Sequence, residues 1–175
     1  MNRRYNRDIH HRQSIRLKDY DYSQAGAYFV TIVTHERKVL FGDVVDDEMQ
    51  LNETGQLVVD VWEWLAARHS YVELDSFVVM PNHLHGIIVM DDPRRGDSRI
   101  APTKHKSLGR LIGMVKTVTT KQINLAQGTP GQRLWQRNYY ERVIRNDEEW
   151  NRVREYIAAN PTQWEFDVEN PYATS

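Results

Sequence analysis

His83 and His85 stand two residues apart in VVMPNHLHGIIVM, residues 78 to 90, within the most apolar part of the chain. Side chains alternate across an extended strand, so the two imidazoles share one face with Ile87 and Val89, while Leu84, Gly86, Ile88 and Met90 take the other. A rigid strand would let both rings reach one divalent cation at little entropic cost. A pair of hydrogen-bonded histidines on a half-exposed strand satisfies the same spacing, and H-x-H alone leaves both readings open.

A second group of candidates lies in NDEEWNRVREYIAANP, where Trp150, Val153 and Ile157 mark the apolar side of a helix. At about 100° per residue, Glu149, Tyr156 and Asn160 fall on a neighbouring stripe, with Tyr156 and Asn160 one turn apart. If that stripe packs beside the histidine face, a phenol, an amide oxygen and two imidazoles converge. A metal at such a point would polarise a phosphate, and a phenolate could attack phosphorus to give a phosphotyrosine that keeps the energy of the broken phosphodiester. Border packing of Tyr156, and a terminating role for Asn160 before Pro161, explain the same residues without chemistry.

These side chains need elements to hold them. AYFVTIVTHE (27 to 36), YVELDSFVVM (71 to 80) and HLHGIIVM (83 to 90) read as strands, the last two joined by a short Pro81-Asn82 turn. ETGQLVVDVWEWLAARHS carries Leu57, Val58, Val61, Trp62 and Leu65 at helical spacing. From Ser107, a candidate N-cap, SLGRLIGMVKTVTTKQINLA reads as an amphipathic helix with Leu108, Leu111, Ile112, Val115 and Val118 on one side. RLWQRNYYERVIR (133 to 145) is β-prone, and a helix over 146–160 closes the order β-α-β-β-α-β-α, an α+β sandwich of helices on an antiparallel sheet.

With 175 residues and 40% apolar content the chain is expected to be one globular domain over 1–175. No apolar run approaches the ~20 residues of a membrane-spanning helix. The basic N-terminus lacks the apolar core of a secretory signal and cysteine is absent, so a cytoplasmic location is expected.

The net charge of -1 hides an uneven distribution. Arg3, Arg4, Arg7, Arg12 and Arg16 crowd a basic arm over 1–22. Lys104, at the end of a polar loop over 91–106 expected to be flexible, leads with Lys106 into the helix bearing Arg110, Lys116 and Lys121. Arg137, Arg142 and Arg145 alternate with Trp135, Tyr139 and Tyr140. Aromatic rings among cations suit single-stranded nucleic acid, the rings stacking on bases and the cations meeting phosphates. Solvated faces and ordinary packing account for the same pattern, so composition alone does not choose.

SIRLKDYDYSQAGAYFVTI, FVVMPNHLHGIIV, LWQRNYYERVIRND and REYIAANP, in this order and spacing, resemble the signatures of REP-associated tyrosine transposases, single-tyrosine members of the HUH endonucleases. The resemblance spans nearly the whole chain. It implies the ferredoxin-like HUH fold, with His83 and His85 as the metal-binding pair flanking Leu84, Tyr156 as the catalytic nucleophile and Asn160 as a further metal ligand. It also implies Mg2+ or Mn2+ as cofactor, single-stranded or hairpin DNA as substrate, nicking and rejoining through a 5′-phosphotyrosine, and action as a monomer or homodimer. Arg152 and Asn160 occupy the places one turn from Tyr156, which disfavours a two-tyrosine enzyme. A domesticated DNA-binding protein of the same fold is the alternative. Histidine-triad nucleotide hydrolases would need a third alternating histidine where Ile87 stands.

Overall fold

The structure, a computed structural model, describes residues 21–22, 24–91 and 106–173. Arg3, Arg4, Arg7, Arg12, Arg16 and Lys104, with most of the expected arm and loop, lie outside the described residues.

Alternating β-branched and aromatic residues make Gly26–Val33 the first strand, β1, which a short 3-10 turn at His35–Arg37 ends. A small hairpin follows, Gly42–Val45 (β2) with Glu48–Leu51 (β3). Asp46 and Asp47 turn it with φ of 50° and 64°. Positive φ at both central residues is the type I′ geometry that matches strand twist. The sequence reading missed this hairpin, since Asp-Asp lacks the glycine that usually announces such a turn and the stretch reads as an acidic surface.

Asn52 then caps helix α1, Glu53–Arg68, by accepting from the Gly55 N–H at 2.9 Å. Val72–Met80 (β4) and His83–Met90 (β5) form the expected hairpin. Helix α2 covers Leu108–Gln127; Ser107 stands at its N-cap without a side-chain hydrogen bond, and left-handed Gly128 (φ 67°) ends it. In the 133–145 segment only Tyr140–Ile144 is a strand, β6. Trp135 instead bridges to Thr34 and is buried, its indole N–H donating to Thr119 at 2.8 Å. Core packing therefore accounts for this ring. Helix α3, Asp147–Ala159, is capped by Asn146 and runs into a 3-10 helix at Pro161–Phe166.

The main sheet has the order β4-β5-β1-β6, antiparallel throughout. This is an α+β fold, a β-α-β-β-α-β unit with the β2–β3 hairpin inserted after its first strand. The faces separate as strand alternation requires. Leu84, Ile88 and Met90 join the larger core with Trp62, Leu65, Leu111 and Val115 from α1 and α2. Ile87 lies on the opposite face with Phe29 and with Val153 and Ile157 of α3. Gly86 is required between the histidines and Ile87, because a Cβ there would lie 2.5 Å from the Trp62 ring. Among the described residues no helix is long and apolar enough to cross a membrane.

Candidate active site

The sheet and α3 meet over the histidines. His85 pairs with Thr31 on β1 and with Val78 on β4, and Thr31 pairs in turn with Tyr140 on β6, so one rung of four strands carries the ring. His83 lies one rung on, and the two imidazole centroids are 4.5 Å apart. Both rings are buried.

Asn82 fixes the state of His83. Its Nδ2 donates to the carbonyls of Arg37, at 3.1 Å, and Glu169, at 2.6 Å. Its Oδ1 is thereby turned toward His83 Nδ1, 2.8 Å away. An amide oxygen can only accept, so His83 Nδ1 carries the proton and Nε2 a lone pair. That Nε2 is buried without a hydrogen-bond partner, an arrangement that costs about 1–3 kcal/mol unless a ligand uses it. His85 Nδ1 meets Thr31 Oγ1 at 2.8 Å, and its Nε2 faces the Tyr156 hydroxyl at 3.2 Å.

Tyr156 comes from α3 on the flank next to the apolar side that Val153 and Ile157 bury. Its ring meets Phe29 edge-on at 5.9 Å, and 41% of the residue remains exposed. The residue is thus anchored at the site while part of it reaches solvent. Asn160, at the C-cap of α3, is buried. Its Nδ2 donates to Asp167 Oδ2 at 3.1 Å, and its Oδ1 has no hydrogen-bond partner.

Asp167 is the residue that the sequence reading missed. The 3-10 helix Pro161–Phe166 brings the Trp164 ring to 6.0 Å from His83, and just past it Asp167 Oδ2 lies 4.0 Å from His83 Nε2. His83, His85 and Asp167 each offer a ligand atom within 4.8 Å of the others. Two imidazole nitrogens and a carboxylate form a donor set that could hold a divalent cation. Position after a 3-10 turn has no periodicity to reveal it, so Asp167 was not legible beforehand.

Electrostatics favour the same chemistry. Burial depresses both histidine pKa values, with the neighbouring His83 adding to the effect on His85 and the Asp167 and Glu169 carboxylates opposing it at His83. Neutral imidazole is the ligand form. Burial, followed by the Asp167 and Glu169 charges, raises the Tyr156 pKa. The phenol is therefore protonated at neutral pH, and a nearby cation would be needed to favour the phenolate.

The described cations named from sequence differ in exposure and in partners. Arg110, Lys121, Arg137 and Arg145 are exposed, and Lys106 is half-buried. Arg142 is exposed and pairs with Glu149 of α3 at 2.6 Å. Lys116 differs from its expected place on a phosphate-facing surface, because its ammonium donates to the carbonyls of Gln136 and Asn138, at 3.0 and 2.9 Å, and reaches that of Arg137. It pins the segment that leads into β6.

No family model matches the chain. A Haemophilus influenzae protein described as uncharacterized is 38% identical over 177 residues, covering 95% of this chain and 97% of its own. Among solved structures, a REP-associated tyrosine transposase bound to a REP hairpin superposes with a TM-score of 0.61 at 19% identity, over 86% of this chain and 74% of that one.

Proposed function

This chain belongs to one family with the Haemophilus influenzae protein and has the fold of a REP-associated tyrosine transposase, and from that premise we propose that it is a single-tyrosine transposase that nicks and rejoins single-stranded DNA at hairpins. The observation that carries the reading is the 3.2 Å approach of the Tyr156 hydroxyl to His85 Nε2, beside the His83, His85 and Asp167 group. Border packing of a tyrosine does not require its hydroxyl to meet one member of a group of three metal-competent side chains.

His83, His85 and Asp167 would hold Mg2+ or Mn2+, with Asn160 Oδ1 as a further oxygen donor. A bound divalent cation would supply charge to polarise the scissile phosphate and favour the phenolate. The chain's own residues do the rest. Phe29 and His85 hold the phenol in place. The Tyr156 oxygen attacks phosphorus, the bond from phosphorus to the 3′ oxygen breaks, and that oxygen takes a proton to become a free 3′ hydroxyl. One phosphate ester replaces another, so a 3′ hydroxyl can reverse the step and join strands without an external energy source.

Incubation with end-labelled single-stranded hairpin DNA and Mn2+ tests the reading. Cleavage that stops in excess chelator and in His83→Ala is expected; full cleavage in either condition contradicts it.

A further inference from the structure

We infer that Asp75 of β4 is a positioning residue for Tyr156, an inference that rests on Tyr156 being the nucleophile proposed above. Strand pairing slips between Leu74 and Phe77. The bulge lets both of those side chains pack toward the larger core while Asp75 turns to α3 on the opposite face. There its carboxylate accepts from Arg154 Nε at 2.8 Å and Trp150 Nε1 at 3.1 Å, from a second Arg154 nitrogen, and from the Ser76 backbone N–H at 2.6 Å. The Arg154 guanidinium also lies over the Trp150 ring, 5.5 Å from its centroid.

The placement of these groups around the helix gives the clamp its consequence. Trp150 and Arg154, four residues apart, share one flank of α3. Tyr156 is on the other flank, with the buried side of Val153 and Ile157 between them. Asp75 therefore holds one edge of the helix to β4, and Tyr156 swings over the histidines from the opposite edge. A rotation of about 20° would move a hydroxyl carried about 8 Å from the axis by roughly 3 Å, and a misplacement of about 1 Å can cost on the order of 100-fold in rate. The apolar contact alone is a weak restraint on rotation, because the buried cluster under α3 is small. Glu149 ties the helix to Arg142 of β6 and to the Arg145 N–H just beyond that strand, but only in its first turn. Asp75 is the charged anchor nearer to Tyr156.

The test uses the full chain with 3-fluorotyrosine placed at position 156, in the wild-type background, in Asp75→Asn, in Arg154→Gln and in the charge-swapped pair Asp75→Arg with Arg154→Asp. Well below the melting temperature, both single variants should move the fluorine resonance toward that of an exposed tyrosine, and the swapped pair should return it at least in part. In unlabelled protein, single-turnover adduct formation on hairpin DNA should fall about tenfold or more in Asp75→Asn, with hairpin and Mn2+ affinity kept within about twofold. A role in stability alone would lower the melting temperature and leave the resonance in place. A wild-type resonance in both Asp75→Asn and Arg154→Gln overturns the inference. If the wild type forms no adduct at all, the nucleophile reading fails, and the fluorine signal still decides whether Asp75 sets the tyrosine.

Discussion

The Tyr156 hydroxyl lies 3.2 Å from His85 Nε2 across 71 residues of sequence. The contact joins a helix to the middle of a sheet, where burial and the hydrogen bonds with Asn82 and Thr31 hold the two imidazoles neutral and oriented.

Asn82 is the first such support. Removing its side chain frees His83 to change tautomer and leaves the Arg37 and Glu169 carbonyls without their donor. Asn82→Ala should lower Mn2+ affinity roughly 10–100-fold, measured by calorimetric titration. Unchanged affinity would remove Asn82 from the site.

Asp167 offers the charged oxygen of the group that could hold a metal, and Asn160 Oδ1, buried without a hydrogen-bond partner, is the neutral oxygen that we propose beside it. Asp167→Ala should therefore weaken Mn2+ binding more than Asn160→Ala, which removes one neutral donor and a hydrogen bond to Asp167. The same titration ranks them, and equal affinity in wild type and Asp167→Ala would contradict the assignment.

The hydrogen bonds from Arg154 hold the Asp75 carboxyl well below its ordinary range, against the opposing effect of burial. A depressed carboxyl pKa stabilises the fold above the unfolded value, near 3.8, and that contribution is lost as pH falls through the folded one. Asp75→Asn should accordingly melt below wild type at pH 7, and the gap should shrink as pH drops below about 4. Thermal melts across that range check the sign.

Salt separates the two kinds of lysine on α2. Exposed Lys121→Gln should reduce the salt slope of hairpin binding by about one. Lys116→Gln, which loses its carbonyl contacts, should instead destabilise the fold by about 1–3 kcal/mol and leave the slope unaltered.

Period-two alternation made the shared face of His83 and His85 legible, and helical spacing put Tyr156 and Asn160 on one stripe. The packing of that stripe against the histidines was conditional in sequence, because no local pattern says which face of a sheet a helix will choose. Asp167 and Asp75 were opaque for a related reason. One follows the 3-10 helix Pro161–Phe166, and the other depends on a bulge, so neither obeys the period of an element. Trp135 was open in sequence, since its place among arginines suits a stacking platform or ordinary packing alike, and the long-range partner that decides it, Thr119, which claims its indole in the core, leaves no local pattern.

The central claim is that Tyr156 bonds covalently to DNA, and the direct measurement is the identity of the labelled peptide. Wild type, Tyr156→Phe, Tyr139→Phe and Tyr140→Phe are incubated with Mn2+ and single-stranded hairpin DNA labelled 3′ of the cut, then denatured, digested and mapped. The expected result is a 5′-phosphotyrosyl adduct on the peptide holding Tyr156, absent from Tyr156→Phe although that variant folds and binds the hairpin, and still formed by the other two. An adduct on Tyr139 or Tyr140, or cleavage by Tyr156→Phe at the wild-type rate, would contradict the account.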